Sequence, residues 1–219
     1  PAPQDNSEAF VQKIAEEGLP AHRMEVLELI LRLRQQCCHP RLLDPAYAGE
    51  CAKFNTVLHD LEEVIASRHK AIVYSQFTSM LALFKEEFIA RGWNFVYLDG
   101  STRDRETPIH EFQNNPDVSI FLISLKAGGV GLNLQAADYV LLYDPWWNSA
   151  VEEQAIARAH RLGRKNTVIA RKYYCTQTIE AKILDLQSKK RAIADALWDE
   201  TGEENLMTFE VMAELLLSI

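Results

Sequence analysis

"SIFLISLKAGGVGLNL", residues 119–134, decides the fold. Its first six residues form a short β-branched and aromatic run that is apolar on both faces. Such a run reads as a strand of a parallel sheet covered by helices on both sides. A turn comes next. Gly128, Gly129 and Gly131 crowd the passage from strand to helix, beside Lys126. Glycine lets backbone N–H groups approach a phosphate closely, and a helix start favours an anion. The spacing is neither that of a GK[ST] loop nor that of GxGxxG, so a glycine-rich turn without a ligand remains an open reading of these residues alone.

Four more runs of the same kind flank this one: "AIVYS" (71–75), "NFVYLD" (94–99), "YVLLYD" (139–144) and "VIARKYY" (168–174). All five read as strands apolar on both faces. Most gaps suit a crossover helix: 77–92, 103–115 and 149–163. The spacing predicts an open, parallel α/β sheet flanked by helices. Function in such sheets sits at the carboxyl ends of the strands. There "YSQF", "SLKAGGVGLNL" and "DPWWN" emerge on one edge. Helices are expected at 7–18 and 24–36, the latter apolar at Val26, Leu27, Ile30, Leu31 and Leu33, before the connector "HPRLLDPAYAG". A helix over 51–67 leads into the first strand. From Thr178, a candidate N-cap, the chain turns helical again and ends in an amphipathic stretch. The chain thus divides into three parts: a helical lead-in at 1–50, the α/β unit at 51–175 and C-terminal helices at 176–219.

"EEQAIARAHRLGR", residues 152–164, spaces Arg158, Arg161 and Arg164 three apart. Arg158 and Arg161 would share a helix face, with Gly163 as the C′ residue that ends the helix. Such a pair either sits on a solvated cationic helix end or meets a nucleotide's terminal phosphate. The surrounding chain is acidic: 23 Lys and Arg against 31 Asp and Glu give a formal charge of −8. That argues against a protein that coats DNA, but a local basic groove still steers a polyanion. The indoles of "DPWWN" fit either core packing or a wedge against sugar or base. Cys37, Cys38, Cys51 and Cys175 lack CxxC spacing and read as reduced thiols, and no metal site is expected. No apolar run reaches the roughly 18 residues of a membrane span, and the first ten residues lack the pattern of a signal peptide. A cytoplasmic protein, with no membrane partner, is expected.

These segments, in order over about residues 30 to 200, resemble the second RecA-like lobe of a Swi/Snf-type ATPase of helicase superfamily two. "LRLRQQCCHPRLL" resembles the entry to that lobe, "IVYSQF" motif IV and "YLDGSTRDR" the motif after it. "ISLKAGGVGLNLQAAD" resembles motif V, "VLLYDPWWN" its extension and "EQAIARAHRLGR" motif VI. "TIEAKILDLQSKK" resembles the helix that braces the lobe. Two positions depart from the pattern: Ala157, where the family usually has an acidic residue, and Arg164, where it usually has glutamine.

The resemblance implies ATP bound between two lobes. The first lobe of the same polypeptide would supply the P-loop lysine and the acidic residues that hold Mg²⁺. This lobe would supply Arg158 and Arg161, with Arg161 as the arginine finger. Gly129, Gly131, Asn133 and Gln154 would face the nucleotide. Ser75, Gln76, Ser124, Lys126, Trp147 and Asn148 would contact double-stranded DNA, mostly through its backbone, which carries no sequence information. The implied parent is a DNA translocase that hydrolyses ATP. This chain alone is expected to be inactive, since no GKT-type loop or DExH box occurs in it. The source expected is bacterial, with a nucleoid location, or a nuclear one in a eukaryote. The alternatives are an RNA-helicase lobe and a non-catalytic protein-interaction module on the same fold.

Overall fold

The computed structural model describes residues 22–129, 132–160 and 167–196. Helix α1 spans Arg23–Cys38 and α2 spans Ala52–Ala66. Strand β1 (Ala71–Ser75) leads through α3 (Thr78–Ala90) to β2 (Phe95–Leu98), and α4 (Glu106–Asn114) leads to β3 (Ile120–Ser124). Then come β4 (Tyr139–Leu142), α5 (Ser149–Ala157), β5 (Ile169–Lys172) and α6 (Ile179–Ala196). The expected helices at 7–18 and toward the C-terminus lie outside the described residues.

The strands form one sheet in the order β2-β3-β1-β4-β5, with every neighbouring pair parallel. Alternation of side chains splits its core in two. Ile72, Tyr74, Phe121, Ile123, Val140 and Leu142 point to one face and pack with Phe112 of α4 and Ala155 of α5. Val73, Ile120, Leu122 and Leu141 point to the other and pack with Val57, Leu58 and Leu61 of α2 and with Phe84 and Phe88 of α3. The central strands β1 and β3 are buried along their whole length, as the two-sided apolar reading requires.

Strand β5 departs from that reading. It is exposed throughout. It sits at the sheet edge, and charge defends it: Arg171 pairs with Asp60 at 2.7 Å and Lys172 with Glu152 at 2.5 Å. Charged side chains on an edge strand discourage pairing with other chains. Strand β2, at the opposite edge, is buried on alternate residues only.

Helices α1 and α6 pack on each other, and Cys38 at the end of α1 joins the α2–α3 side of the core. Ile179 and Ile183 of α6 are buried against Leu33 and Cys37 of α1, with Trp147 and Leu186 beside them. Thr178 caps α6 as expected, its hydroxyl accepting the Glu180 N–H at 3.2 Å. Below this cluster a buried ion pair fastens α6 to the sheet unit. Lys53 of α2 donates to both carboxylate oxygens of Glu180, at 2.6 and 2.9 Å. The cysteines line the same region. The thiols of Cys51 and Cys175 donate to the carbonyls of Cys38 and Cys37, each at 3.5 Å. Among the described residues no helix is long and apolar enough to cross a membrane.

Candidate functional site

The carboxyl ends of β1, β3 and β4 lie side by side in the middle of the sheet. The register pairs Ser75 with Ser124. Both serines and Asp144 are buried. Ser75 Oγ donates to Asp144 Oδ1 at 2.5 Å and accepts the Phe77 N–H at 3.2 Å. The Gln76 N–H donates to Asp144 Oδ2 at 3.2 Å. Ser124 Oγ accepts the Ala127 N–H at 3.2 Å. Both hydroxyls therefore shape the turns at the strand ends. Lys126 is exposed beside them. Gln76 is half-buried, and its amide nitrogen has no hydrogen-bond partner.

The glycine turn begins with a single 3-10 turn at Ala127–Gly129. Gly128 is required there for packing. A Cβ at this position would lie 2.7 Å from Tyr74 Cε1. The Tyr74 ring, buried under the turn, points its hydroxyl toward the Ala155 carbonyl at 3.5 Å, and burial pushes its pKa up. Gly129 comes directly after, while Gly131 lies outside the described residues. Asn133 is half-buried. Its carbonyl accepts from Gln113 Nε2 at 2.5 Å, and its Oδ1 has no hydrogen-bond partner. Two amide side chains, Gln76 and Asn133, thus hold unused polar atoms. A buried polar atom without a partner is costly and calls for a ligand or water.

Leu134 ties this loop to the arginine segment, its N–H donating to the Arg158 carbonyl at 3.2 Å. Asn148 caps α5, with Oδ1 accepting the Ala150 N–H at 3.0 Å. Gln154 is exposed on that helix. The expectation that the helix runs on to Gly163 needs correction. Helix α5 ends at Ala157, and Arg158 is its C-cap. There the bond from Leu134 holds the Arg158 carbonyl, and the next residue, Ala159, is buried in the core. Arg158 therefore stands beside the glycine loop, at the point where the chain leaves the helix. Arg161, Gly163 and Arg164 lie outside the described residues, as does the side-by-side placement of Arg158 and Arg161.

The two tryptophans of "DPWWN" are both half-buried and part company. Trp146 packs on the sheet core, and Trp147 packs on the α1–α6 cluster. Two residues missed in the sequence hold their loop. Arg34 of α1 is only 5% exposed. Its Nη2 donates to the Pro145 carbonyl at 2.9 Å. Its guanidinium carbon lies 5.0 Å from the ring centroid of Trp147, 5.6 Å from Trp146 and 5.5 Å from Phe77. Burial lowers its pKa, and the Asp144 carboxylate opposes that shift. Glu152 of α5 is 0% exposed. It accepts the Trp146 N–H at 2.7 Å, Lys172 Nζ at 2.5 Å and Gln187 Nε2 at 3.1 Å. Signals for both were present. Arg34 continues the row Val26 and Ile30, and Glu152 shares a helical row with Ala155 and Ala159, so each charge sits on an apolar face.

The site thus gathers, along one sheet edge, a glycine turn, two amides with open valences, one exposed lysine, an arginine at a helix end and a braced tryptophan loop. Among the described residues no group of three or more His, Cys, Asp or Glu is arranged to hold a metal ion.

Known proteins resemble this chain in sequence and in fold. The DNA repair protein RAD5B of Arabidopsis thaliana is 46% identical over 156 residues, covering 69% of this chain and 12% of that protein. The C-terminal part of the Fun30 ATPase domain superposes with a TM-score of 0.65 at 27% identity, covering 86% of this chain and 63% of that one. The SWI2/SNF2 ATPase core of Sulfolobus solfataricus gives 0.66 at 27% identity, covering 90% of this chain and 43% of that one. The chain therefore spans a small part of the curated relative and less than half of the SWI2/SNF2 ATPase core. The RAD5B match comes from a plant and the SWI2/SNF2 core from an archaeon, and a bacterial source is not shown. The helicase conserved C-terminal domain family matches residues 53–163, from Lys53 on α2 to Gly163, between Arg161 and Arg164 in sequence. The chain belongs to that family, as the C-terminal lobe of a Snf2-type helicase.

Proposed function

We propose that this chain is the second ATPase lobe of a double-stranded-DNA translocase. The observation that carries the reading is the meeting of Arg158 with the glycine turn at the carboxyl edge, through the bond from Leu134 N–H to the Arg158 carbonyl. A nucleotide bound there would lie between this lobe and a first lobe of the same polypeptide. Arg158 and Arg161 would direct guanidinium groups at the γ-phosphoryl. As water attacks and ADP leaves, negative charge grows on the transferring group, and fixed cations lower the barrier to that step. Gly129 and Gly131 would let backbone N–H groups approach the phosphates. The unpartnered Asn133 Oδ1 and the exposed Gln154 are the polar groups available to orient the nucleotide.

The residues present suit ATP's phosphates better than they suit its magnesium. Cationic and amide groups line the edge, while carboxylate ligands for Mg²⁺ would come from the first lobe. When bound, Mg²⁺ would offset phosphate charge. On the nucleic-acid side, Lys126, Gln76 and the Trp147 loop would meet the phosphate backbone of a duplex. Contacts of that kind hold a protein on DNA without reading its sequence. The place of action would be wherever the duplex is, in a nucleoid or a nucleus.

The test uses the full-length protein. Duplex DNA, single-stranded DNA and RNA are compared as stimulators of ATP hydrolysis, with Arg158→Ala and Arg161→Ala alongside. Duplex DNA should stimulate most. Arg161→Ala should lower the maximal rate by about three to five powers of ten while ATP affinity changes little, because the finger meets charge that develops in the transition state. A normal rate in Arg161→Ala would overturn the finger assignment. Stimulation by RNA alone would turn the reading to an RNA helicase, and stimulation by none to an interaction module. ATP turnover by this chain in isolation would overturn the split-site arrangement.

A further inference from the structure

Arg34 poses a problem of its own. It is a nearly buried arginine on the apolar row of a lead-in helix. Its guanidinium donates across 111 residues of sequence to a backbone carbonyl, that of Pro145. Three aromatic rings surround it: Phe77, just after β1, and Trp146 and Trp147, just after β4. An apolar side chain would fill this space without the desolvation penalty of a buried charge. Filling volume is therefore not enough to explain an arginine. What arginine adds is directional. A planar cation accepts π-faces on both sides and donates in its own plane, so one residue fixes a carbonyl and the rings around it together. Trp147 is held from the other side by Ile179 and Ile183 of α6, and Trp146 by Glu152 through its backbone N–H. The loop 145–148 is thus gripped by α1, α5 and α6 at once.

We propose that Arg34 is a positioning residue for nucleic-acid binding: it sets the 145–148 loop so that Trp147 meets the DNA duplex, and it makes that contact depend on the docking of α1. The inference rests on the proposed function, in which Trp147 faces DNA. Arg34 itself touches no substrate. Helix α1 enters the lobe from its N-terminal side, so the same arginine links the chain that arrives there to the loop that contacts DNA.

The experiment measures ATP hydrolysis by the full-length protein as duplex DNA is titrated, for Arg34→Lys, Arg34→Met, Trp147→Ala and the double variant R34M/W147A. Two quantities are read: the half-saturating DNA concentration and the rate at saturation. Arg34→Met should raise the half-saturating concentration about tenfold, equivalent to about 1.4 kcal/mol, with the saturated rate falling less than about twofold. Arg34→Lys keeps a charge and a donor for the Pro145 carbonyl but not the planar stack, so it should recover less than half of that shift on a logarithmic scale. In the Trp147→Ala background, Arg34→Met should add no further shift, because both changes disable one contact. The result that overturns the proposal is an unchanged half-saturating concentration in both Arg34 variants, even if the saturated rate falls, since that is what loss of folded protein alone would produce. Should Arg34→Met fail to fold, Arg34→Lys decides. If Trp147→Ala shifts the half-saturation and the Arg34 variants do not, the proposal alone falls. If Trp147→Ala shifts nothing, the DNA-facing reading of Trp147 falls and the proposal with it.

Discussion

Replacing Glu180 by leucine tests how the brace helix is fastened to the lobe. Glu180 and Lys53 side chains are 1% and 5% exposed. The carboxylate accepts Lys53 Nζ at 2.6 and 2.9 Å and the Cys175 N–H at 2.9 Å. The ammonium also lies 4.6 Å from the centre of the Tyr143 ring. Leucine would strand a lysine charge in the interior and leave the Cys175 N–H without its acceptor. Removing one partner of a buried pair destabilises by about 3–5 kcal/mol. Domain stabilities are about 5–15 kcal/mol, so the loss is about a fifth or more of the total. For a chain of this size, that corresponds to a fall in melting temperature of about 6–20 °C. The assay is urea unfolding of the 219-residue chain tracked by circular dichroism, with thermal melting alongside. The double variant K53M/E180L leaves no charge in the interior, so it should be more stable than Glu180→Leu alone. Refutation would take either of two forms. Glu180→Leu could lose less than about 1 kcal/mol, or the double variant could lose the sum of the single losses within about 0.5 kcal/mol, the range expected of independent sites.

Other outcomes rest on local geometry. Gly128→Ala should destabilise the chain by about 1–3 kcal/mol, because its Cβ would press on the Tyr74 ring; urea unfolding checks this, and a neutral result would mean that the ring moves aside. Arg68 ends α2 at φ +57, in the same left-handed turn that Gly92 makes after α3 at φ +68. Arg68→Gly should therefore raise stability by up to about 1 kcal/mol, read from the melting temperature. The Ser101 hydroxyl, with the Tyr97 hydroxyl and further donors, holds the Asp99 pKa down to about 2, against about 3.9 for a free aspartate. A lowered folded pKa gives stability that is present above about pH 4 and fades as the pH falls toward 2. The Asp99 carboxyl carbon shift in NMR should still report the ionised form at pH 3, and a midpoint near 4 would show that those donors do not hold it in solution.

Much of this arrangement was legible in the sequence because it depends on period and on local backbone. Two-sided apolar runs of five or six residues exclude most structures other than covered strands, and the three central ones lie within a residue or two of their expected ends. Thr178 as a cap and 77–92, 103–115 and 149–163 as crossovers rest on equally local rules. The edge strand β5 was misread as apolar on both faces, because a strand's place in the sheet is not written in its own residues. Arg171 and Lys172 make sense only once β5 is known to lie outermost. Helix α5 was expected to run to Gly163, since the glycine was the nearest stop signal. The stop is a tertiary one: Leu134, more than twenty residues earlier, binds the Arg158 carbonyl.

The functional edge divides along the same line. The sequence by itself determined which segments reach that edge, because parallel strands place all their carboxyl ends together whatever the details of packing. It could not determine the role of Ser75, whose hydroxyl meets Asp144 only after β1 and β4 are aligned in register, whereas the Ser124 hydroxyl takes the Ala127 N–H three residues on, within its own turn. It also could not find what grips the tryptophan loop. Arg34, Glu152 and Gln187 come from three helices, and Lys53 and Glu180 are 127 residues apart. In a linear reading Arg34 and Glu152 show only as charges on an apolar row, and the partner of each does not show at all. Burial makes them pair, because an isolated charge inside the protein is far more costly than one matched by a partner. Which partner it meets is settled by the three-dimensional packing of α1 and α6 against the sheet.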